Sequence, residues 1–195
     1  MSELDFDSGV QLALEHLSKL EDSGTIGTVL IDGRAGSGKS LFANTLLEKF
    51  FSEHDFQPKL IAMDDLYPGW EGLAAGSSYL LQQILLPRAG GQKASWQIWD
   101  WKTNQRGGND AGNGMRLMEP GTQLIVEGCG SISTNTAPLA SLRIWIESPM
   151  EIRKVRYSNR DGGMFDEYFG IWSAQEDEFY KTHKSIQLAD IRVLS

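Results

Sequence analysis

The feature that most restricts this chain is one short run, Gly33-Arg34-Ala35-Gly36-Ser37-Gly38-Lys39-Ser40, which fits the pattern G-x-x-x-x-G-K-S/T without a mismatch. Its glycines let the backbone curl until several N–H groups face one anion. A helix starting where the run ends turns its positive end toward that anion. In such a loop the lysine reaches the β and γ phosphates of a nucleoside triphosphate, and the hydroxyl after it holds a bridging Mg²⁺. The pattern has this meaning only between a buried strand and an amphipathic helix, and both are legible. Thr25 to Asp32 reads as a buried strand through Ile26, Val29, Leu30 and Ile31. Leu41 to Phe51 reads as a helix, with Leu41, Thr45 and Leu46 expected toward the core. The expected phosphate-binding residues are Gly33, Arg34, Ala35, Gly36, Ser37, Gly38, Lys39, Ser40 and Leu41. The competing reading is a glycine-rich turn joining strand to helix, and the flanking elements favour the cradle.

The rest of the chain repeats the strand and helix alternation. Helical spacing covers Ser8 to Leu20, with Asp7 or Ser8 as cap, then Ser77 to Leu86 up to Pro87, Met150 to Arg160, and a helix within Phe165 to Lys184. Short apolar runs at Lys59–Met63, Gln123–Val126, Leu142–Ile146 and Ala189–Leu194 read as further strands, and Ser95 to Trp101 as extended. Lys102 to Gly114, rich in Gly and Asn, reads as an exposed, mobile loop. This alternation predicts an α/β fold around a mainly parallel sheet, with ligands beyond the carboxyl ends of the strands. The length of 195 residues suits one domain spanning 1–195.

Composition narrows the partners. A net charge of −8 argues against nucleic acid, since a long polyanion is repelled on average. No apolar run approaches the ~20 residues that cross a bilayer, and the acidic, polar start at Met1–Val10 is unlike a secretory signal, so no membrane partner is expected. The single cysteine, Cys129, forms no internal disulfide and suits a cytoplasmic location. No spacing among His16, His54 and His183 suggests a metal site.

Several polar clusters fall where strands end. Asp64 and Asp65 follow the second strand, and Asp64 is the candidate base for orienting an acceptor hydroxyl and accepting its proton, or an outer-shell Mg²⁺ ligand. A turn or cap ahead of Pro68–Gly69 is the structural alternative. Tyr67 and Trp70 are candidates for an acceptor wall or for packing. Glu127, ending a strand beside Gly128, is a candidate Mg²⁺ ligand, directly or through water. Arg153, Arg156 and Arg160 share one helical face at i, i+3 and i+7, where a transferring phosphoryl group would offset their repulsion. A solvated basic face balanced by Glu147, Glu151, Asp166 and Glu167 is the alternative. Asp161–Gly162–Gly163 then offers the flexible exit of a closing lid over about 150–175. In Trp99–Asp100–Trp101 the indoles fall on one side and the carboxylate on the other, either a base- and sugar-binding segment or core.

Taken together, Ile31-Asp32-Gly33 through Ser40, Asp64-Asp65-Leu66-Tyr67 and Val126-Glu127-Gly128 resemble the uridine kinase and phosphoribulokinase branch of small-molecule P-loop kinases. The resemblance runs from about Thr25 to the final strand. It implies a P-loop NTPase fold with a parallel five-stranded core and an Arg-rich lid, and use of ATP and Mg²⁺. Uridine kinases carry a similar Asp-x-Phe-Tyr segment, whose first Asp, the base, matches Asp64 and whose Tyr matches Tyr67. Their Glu-Gly, which helps bind Mg²⁺, matches Glu127–Gly128, and an aromatic-Asp-aromatic segment of their nucleoside pocket looks like Trp99–Asp100–Trp101. Pro68-Gly69-Trp70-Glu71-Gly72 has no counterpart in that pattern, and Arg160-Asp161-Gly162 stands where the family closes its lid with Arg-Gly.

The expected activity is Mg²⁺-dependent transfer of the ATP γ phosphoryl group to a small acceptor, first a nucleoside. A nucleoside monophosphate kinase is one alternative, which needs extra arginines near the acceptor, with Arg88, Arg106 and Arg116 as candidates. A nucleotide-binding regulatory protein with little turnover is the other.

Overall fold

The computed structural model describes residues 2–108, 110–160 and 162–195. In chain order the elements are β1 (Ser2–Asp5), α1 (Phe6–Asp22), β2 (Thr28–Asp32), α2 (Lys39–His54), β3 (Lys59–Ala62), α3 (Leu73–Leu80), α4 (Leu86–Ala89), β4 (Ala94–Gln97), β5 (Trp99–Asp100), β6 (Gln105–Arg106), β7 (Met115–Met118), β8 (Leu124–Glu127), β9 (Leu142–Glu147), α5 (Met150–Arg160), α6 (Phe169–His183), α7 (Ser185–Leu188) and β10 (Ile191–Leu194).

Six strands form the main sheet in the order β1-β10-β9-β2-β8-β3, with every neighbouring pair parallel. The five strands expected from the sequence are all there, and β1 adds a sixth at the edge. It pairs Ser2 with Ile191 and Asp5 with Leu194. The sheet is covered on both faces. Val29 and Ile31 of β2 pack with Ile125, Leu14, Leu17, Phe42, Leu46 and Phe50 on the side of α1 and α2. Leu30 points the other way, to Ile61, Val126, Leu80, Ile84, Trp172 and Phe179. This alternation is the period of two of a strand buried on both faces. Each fully buried Leu, Ile or Phe contributes roughly 1.5–3 kcal/mol to this core.

Three details differ from the sequence expectation. α1 starts before Ser8 because the Asp5 carboxylate caps it, accepting from the Ser8 N–H at 2.8 Å. The buried face of α2 is Phe42, Ala43, Leu46, Leu47 and Phe50, whereas Leu41 is 63% exposed. The helix axis is set by Phe42 and Phe50 filling the layer under β2, which turns Leu41 and Thr45 outward. The helix expected to stop at Pro87 begins earlier, at Leu73, and passes through a π-helical turn at Leu81–Leu85 into α4. Pro87 stands at the start of α4, directly after the π-helical turn, whose wider bonding runs from the Leu86 N–H to the Leu81 carbonyl.

Residues 94–118 form a small layer beside the sheet. β4 pairs antiparallel with β7, and β5 with β6. The glycine-rich stretch 102–114 therefore contains β6 and a short helical turn at Ala111–Asn113. Asn109 within it lies outside the described residues.

Candidate active site

The cradle is built at the carboxyl end of β2, the strand between β9 and β8. Gly33, Gly36 and Gly38 all have positive φ, at 147°, 77° and 97°. Gly36 also has no room for a side chain, because a Cβ there would stand 2.2 Å from the Arg153 carbonyl oxygen on α5. α2 begins directly after Gly38, and the Phe42 N–H bonds the Gly38 carbonyl at 3.0 Å. The N–H groups of Lys39, Ser40 and Leu41 thus precede the first intrahelical bond and belong to the anion-facing helix start. The Leu41 side chain is exposed, so only its backbone N–H is available to an anion there. Ser37 is fully buried in the loop, and its hydroxyl has no hydrogen-bond partner among the described residues.

The Lys39 side chain is buried beneath the loop. Its ammonium donates to the Arg34 carbonyl at 3.0 Å and lies 3.5 Å from Cys129 Sγ. Burial works against its charge, but the surrounding acidic groups, among them Glu127, Glu176 and Asp32, oppose that, and its pKa lies above the ordinary lysine value. Burial pushes the Cys129 thiol far up, so it is a neutral group here. Lys39 is thus charged and pre-placed at the bottom of the cradle.

Glu127 ends β8, the strand next to β2. The Ser40 hydroxyl donates to its Oε1 at 3.2 Å. A hydroxyl and a carboxylate so placed suit a Mg²⁺ that takes its remaining ligands from water and phosphate. Among the described residues no group of three His, Cys, Asp or Glu could form an all-protein metal cage. Burial pushes the Glu127 carboxyl up to about 6, against the pull of Lys39, and Asp64 and Arg160 also act on its charge.

Asp64 stands in the turn after β3. Its carboxylate is 63% exposed and 3.7 Å from Arg160 Nη1. Its backbone carbonyl accepts from the Trp101 indole at 3.0 Å. Trp101 packs on Trp70 at 5.0 Å, and Trp70 stacks on Tyr168 at 4.5 Å with an interplanar angle of 8°. Trp70, Trp101 and Tyr168 form the aromatic wall beside Asp64. Tyr67 does not: it is 1% exposed and its hydroxyl donates to the Cys129 carbonyl at 2.8 Å, which makes it core.

The three arginines of α5 do different things. Arg153 is buried and donates to the carbonyls of Ser148 and Ala35, both at 3.2 Å, so it braces the cradle from behind. Arg156 donates to the hydroxyls of Ser148 and Ser195, at 3.3 and 3.0 Å. Only Arg160 meets Asp64. The i, i+3, i+7 face therefore runs from the cradle backing to the cleft, and Asp161 after it lies outside the described residues.

Trp99 is half-buried and lies, with Tyr79, against the Arg106 guanidinium, whose carbon is 3.7 Å from the Tyr79 ring centre and 5.6 Å from that of Trp99. The Asp100 carboxylate accepts from the N–H groups of Lys102 and Thr103, at 2.9 and 3.4 Å, which lower its pKa and tie it into its own turn. Trp99, Asp100 and Trp101 line a cavity of about 630 Å³ with Arg116 and the glycines of the small layer.

Three residues of this site have a role that no sequence motif predicts. Asp32, fully buried at the end of β2, accepts from the N–H groups of Gly33, Gly130 and Ile132 and from the Tyr180 hydroxyl, at 2.7–3.0 Å. Burial pushes its carboxyl up to about 6, with those donors pulling it down. Glu176 on α6 accepts from the Ala35 N–H at 2.6 Å. Gln175 beside it donates to the Trp70 carbonyl at 2.7 Å and accepts from the Leu73 N–H at 3.2 Å. The available signal was Glu176 itself, an acid four residues from both Trp172 and Tyr180 on the apolar stripe of a helix.

No protein-family sequence model and no curated protein matches the chain. Solved structures do. A possible uridine kinase from Bacillus stearothermophilus superposes with a TM-score of 0.60 at 17% identity, over 86% of this chain and 88% of its own. The YGR205w protein gives a TM-score of 0.63 at 11% identity, over 99% of this chain and 94% of its own. A provisionally named fructose transport system kinase from Silicibacter gives 0.56 at 16% identity, over 94% of this chain and 98% of its own. At these identities the likeness concerns architecture, and together with the loop after β2 it shows that this chain has the fold of the P-loop kinases.

Proposed function

We propose that this chain transfers the γ phosphoryl group of Mg-ATP to a hydroxyl of a small acceptor, in the first instance a nucleoside. One observation supports the reading most strongly. The Ser40 hydroxyl, in the first turn of α2, donates to Glu127 Oε1 at 3.2 Å, so a strand-end carboxylate stands against the glycine loop that also encloses the Lys39 ammonium.

Lys39 and the N–H groups of the loop and of the α2 start hold the phosphates. Ser40 and Glu127 are the residues that would hold Mg²⁺, which when bound neutralises charge on the phosphate oxygens. Asp64, exposed to the cleft and paired there with Arg160, is the group to orient an acceptor hydroxyl and take its proton. Arg160, tethered to Asp64, faces the equatorial oxygens of the group in transfer. Arg153 and Arg156 serve by holding the cradle and its backing. Trp70, Trp101 and Tyr168 offer flat apolar surface to an acceptor and exclude water from one side. The solved neighbours, named for uridine and fructose, are consistent with a hydroxyl acceptor.

The nucleoside monophosphate alternative needs arginines free for an acceptor phosphate. Arg88 is engaged at the far end of the sheet, with the carbonyls of Gly27 and Thr122 and the Thr28 hydroxyl. Arg106 is engaged with the carbonyls of Gln97 and Leu66. Arg116 alone of the three lines the cavity, which favours the neutral acceptor. The test is to incubate the protein with Mg-ATP and a panel of nucleosides, nucleoside monophosphates and small sugars, and to identify by mass spectrometry which compound gains a phosphoryl group. Gain by a nucleoside supports the reading, gain by a monophosphate replaces it with the alternative, and no gain by any compound despite ATP binding favours the regulatory protein.

A further inference from the structure

The Ala35 N–H lies on the outer turn of the cradle, and a buried side chain from a distant helix holds it. Glu176 is 1% exposed, and its Oε1 accepts from Ala35 N at 2.6 Å and lies 3.3 Å from Cys129 Sγ. Its second oxygen is 3.5 Å from Arg34 Nη1, and the neighbouring Asp177 pairs with Arg34 Nη2 at 2.7 Å. One turn on, the Tyr180 hydroxyl donates to Asp32, and the Arg34 guanidinium lies 5.5 Å from the Tyr180 ring centre. On the other side, Arg153 donates to the carbonyl of the same Ala35. The Ala35 residue is therefore gripped at both of its polar groups. Lys39 in turn donates to the Arg34 carbonyl, so the shape of this turn sets where the ammonium stands.

We propose that Glu176 is a positioning residue for the phosphate cradle, acting through its hydrogen bond to the Ala35 N–H rather than through its charge. A buried acceptor on a backbone donor is costly to remove, because the Ala35 N–H would be left without a partner. An N–H fixed in this way cannot turn inward, and the loop keeps one curl whether or not phosphate is bound. The nucleotide then meets a preformed site and does not have to order it. Gln175, next along α6, holds the Trp70 carbonyl and the Leu73 N–H, so the same helix carries the wall beside Asp64. The effect on nucleotide affinity rests on the kinase reading above, whereas the effect on the loop does not.

The experiment compares the parent with Glu176→Gln, Glu176→Asp and Glu176→Ala, each checked for a native melting transition. The first readout is hydrogen–deuterium exchange of peptides covering residues 33–38 without nucleotide, and the second is the KM for Mg-ATP and for the acceptor. Gln keeps an oxygen for Ala35, whereas Asp is one methylene too short and Ala has none. Cradle exchange is expected to speed up about tenfold in the Asp and Ala variants and to stay within about threefold in the Gln variant. The KM for Mg-ATP follows the same order, with the acceptor KM unchanged. Parental exchange and parental KM in folded Asp and Ala variants overturn the proposal. A Gln variant as loose as the Ala variant also overturns it, because charge is then what matters. Should Glu176→Ala fail to fold, the contrast between Asp and Gln decides. If exchange responds as expected but the parent shows no turnover with any acceptor, the positioning role stands and the kinase reading falls.

Discussion

Replacing Asp64 with Asn separates chemistry from stability. The carboxylate is 63% exposed, and its partner Arg160, at 3.7 Å, is 56% exposed. Exposed pairs of this kind contribute about 0–1 kcal/mol. Asn has nearly the same shape, and the Asp64 carbonyl that accepts from Trp101 is untouched. The melting temperature should therefore fall by no more than about 2–4 °C. If the carboxylate takes the acceptor proton, turnover should fall about 10²–10⁴-fold, roughly 3–5 kcal/mol in the barrier. The KM for Mg-ATP should stay within about threefold, because Asp64 contributes nothing to the cradle. ADP release at saturating acceptor, run beside thermal melts, measures all three. Parental turnover in Asp64→Asn refutes the base. A fall in turnover matched by a collapse in melting temperature refutes the claim that this carboxylate has no structural duty.

Three further outcomes follow from the same geometry. Gly36→Ala must place a side chain at φ 77° against the Arg153 carbonyl. It should cost roughly 1–2 kcal/mol in strain alone and weaken Mg-ATP binding by about tenfold or more, as read by titration and denaturant unfolding. Arg153→Ala and Arg160→Ala should divide stability from turnover. The first removes a buried donor to two carbonyls and should destabilise by about 2–3 kcal/mol, whereas the second should cost about 1 kcal/mol or less yet slow transfer. The pH dependence of stability should carry Glu127. Its folded pKa of about 6 lies above the ordinary 4.5, so the folded state binds the proton more tightly. Without Mg²⁺, this contribution is fully present below about pH 4.5 and is lost as pH rises through about 6, a change of about 2 kcal/mol. Asp32 acts with the same sign, so the difference between parent and Glu127→Gln, measured by urea unfolding across that window, isolates Glu127.

The proposed donor half of the site was legible in the sequence because its geometry is local. Gly33 to Ser40 needs only its own glycines and one helix start, and Glu127 sits on the neighbouring strand where an alternating chain must put it. The proposed acceptor half was less legible because it is assembled from distant segments. Trp70, Trp101 and Tyr168 meet only through tertiary packing, and Tyr67 faces the core because its hydroxyl finds the Cys129 carbonyl. The arginine helix was visible as a face, but helical spacing says nothing of where along its length the cradle ends and the cleft begins. Glu176 stayed hidden since a single acid in an apolar stripe has no motif, and the sequence around Asp32 says nothing of the Gly130 and Ile132 N–H groups that it holds. The edge strand β1 was hidden for a related reason. Its few polar residues pair through backbone groups with β10, which periodicity does not register.

The most direct test of the central claim is the rate of ADP release from Mg-ATP, with and without the acceptor panel, in the parent and in Lys39→Ala. The expected result is release that one hydroxyl-bearing acceptor stimulates strongly and that Lys39→Ala abolishes. Release that is flat across the panel, or stimulated release that survives Lys39→Ala, would contradict it.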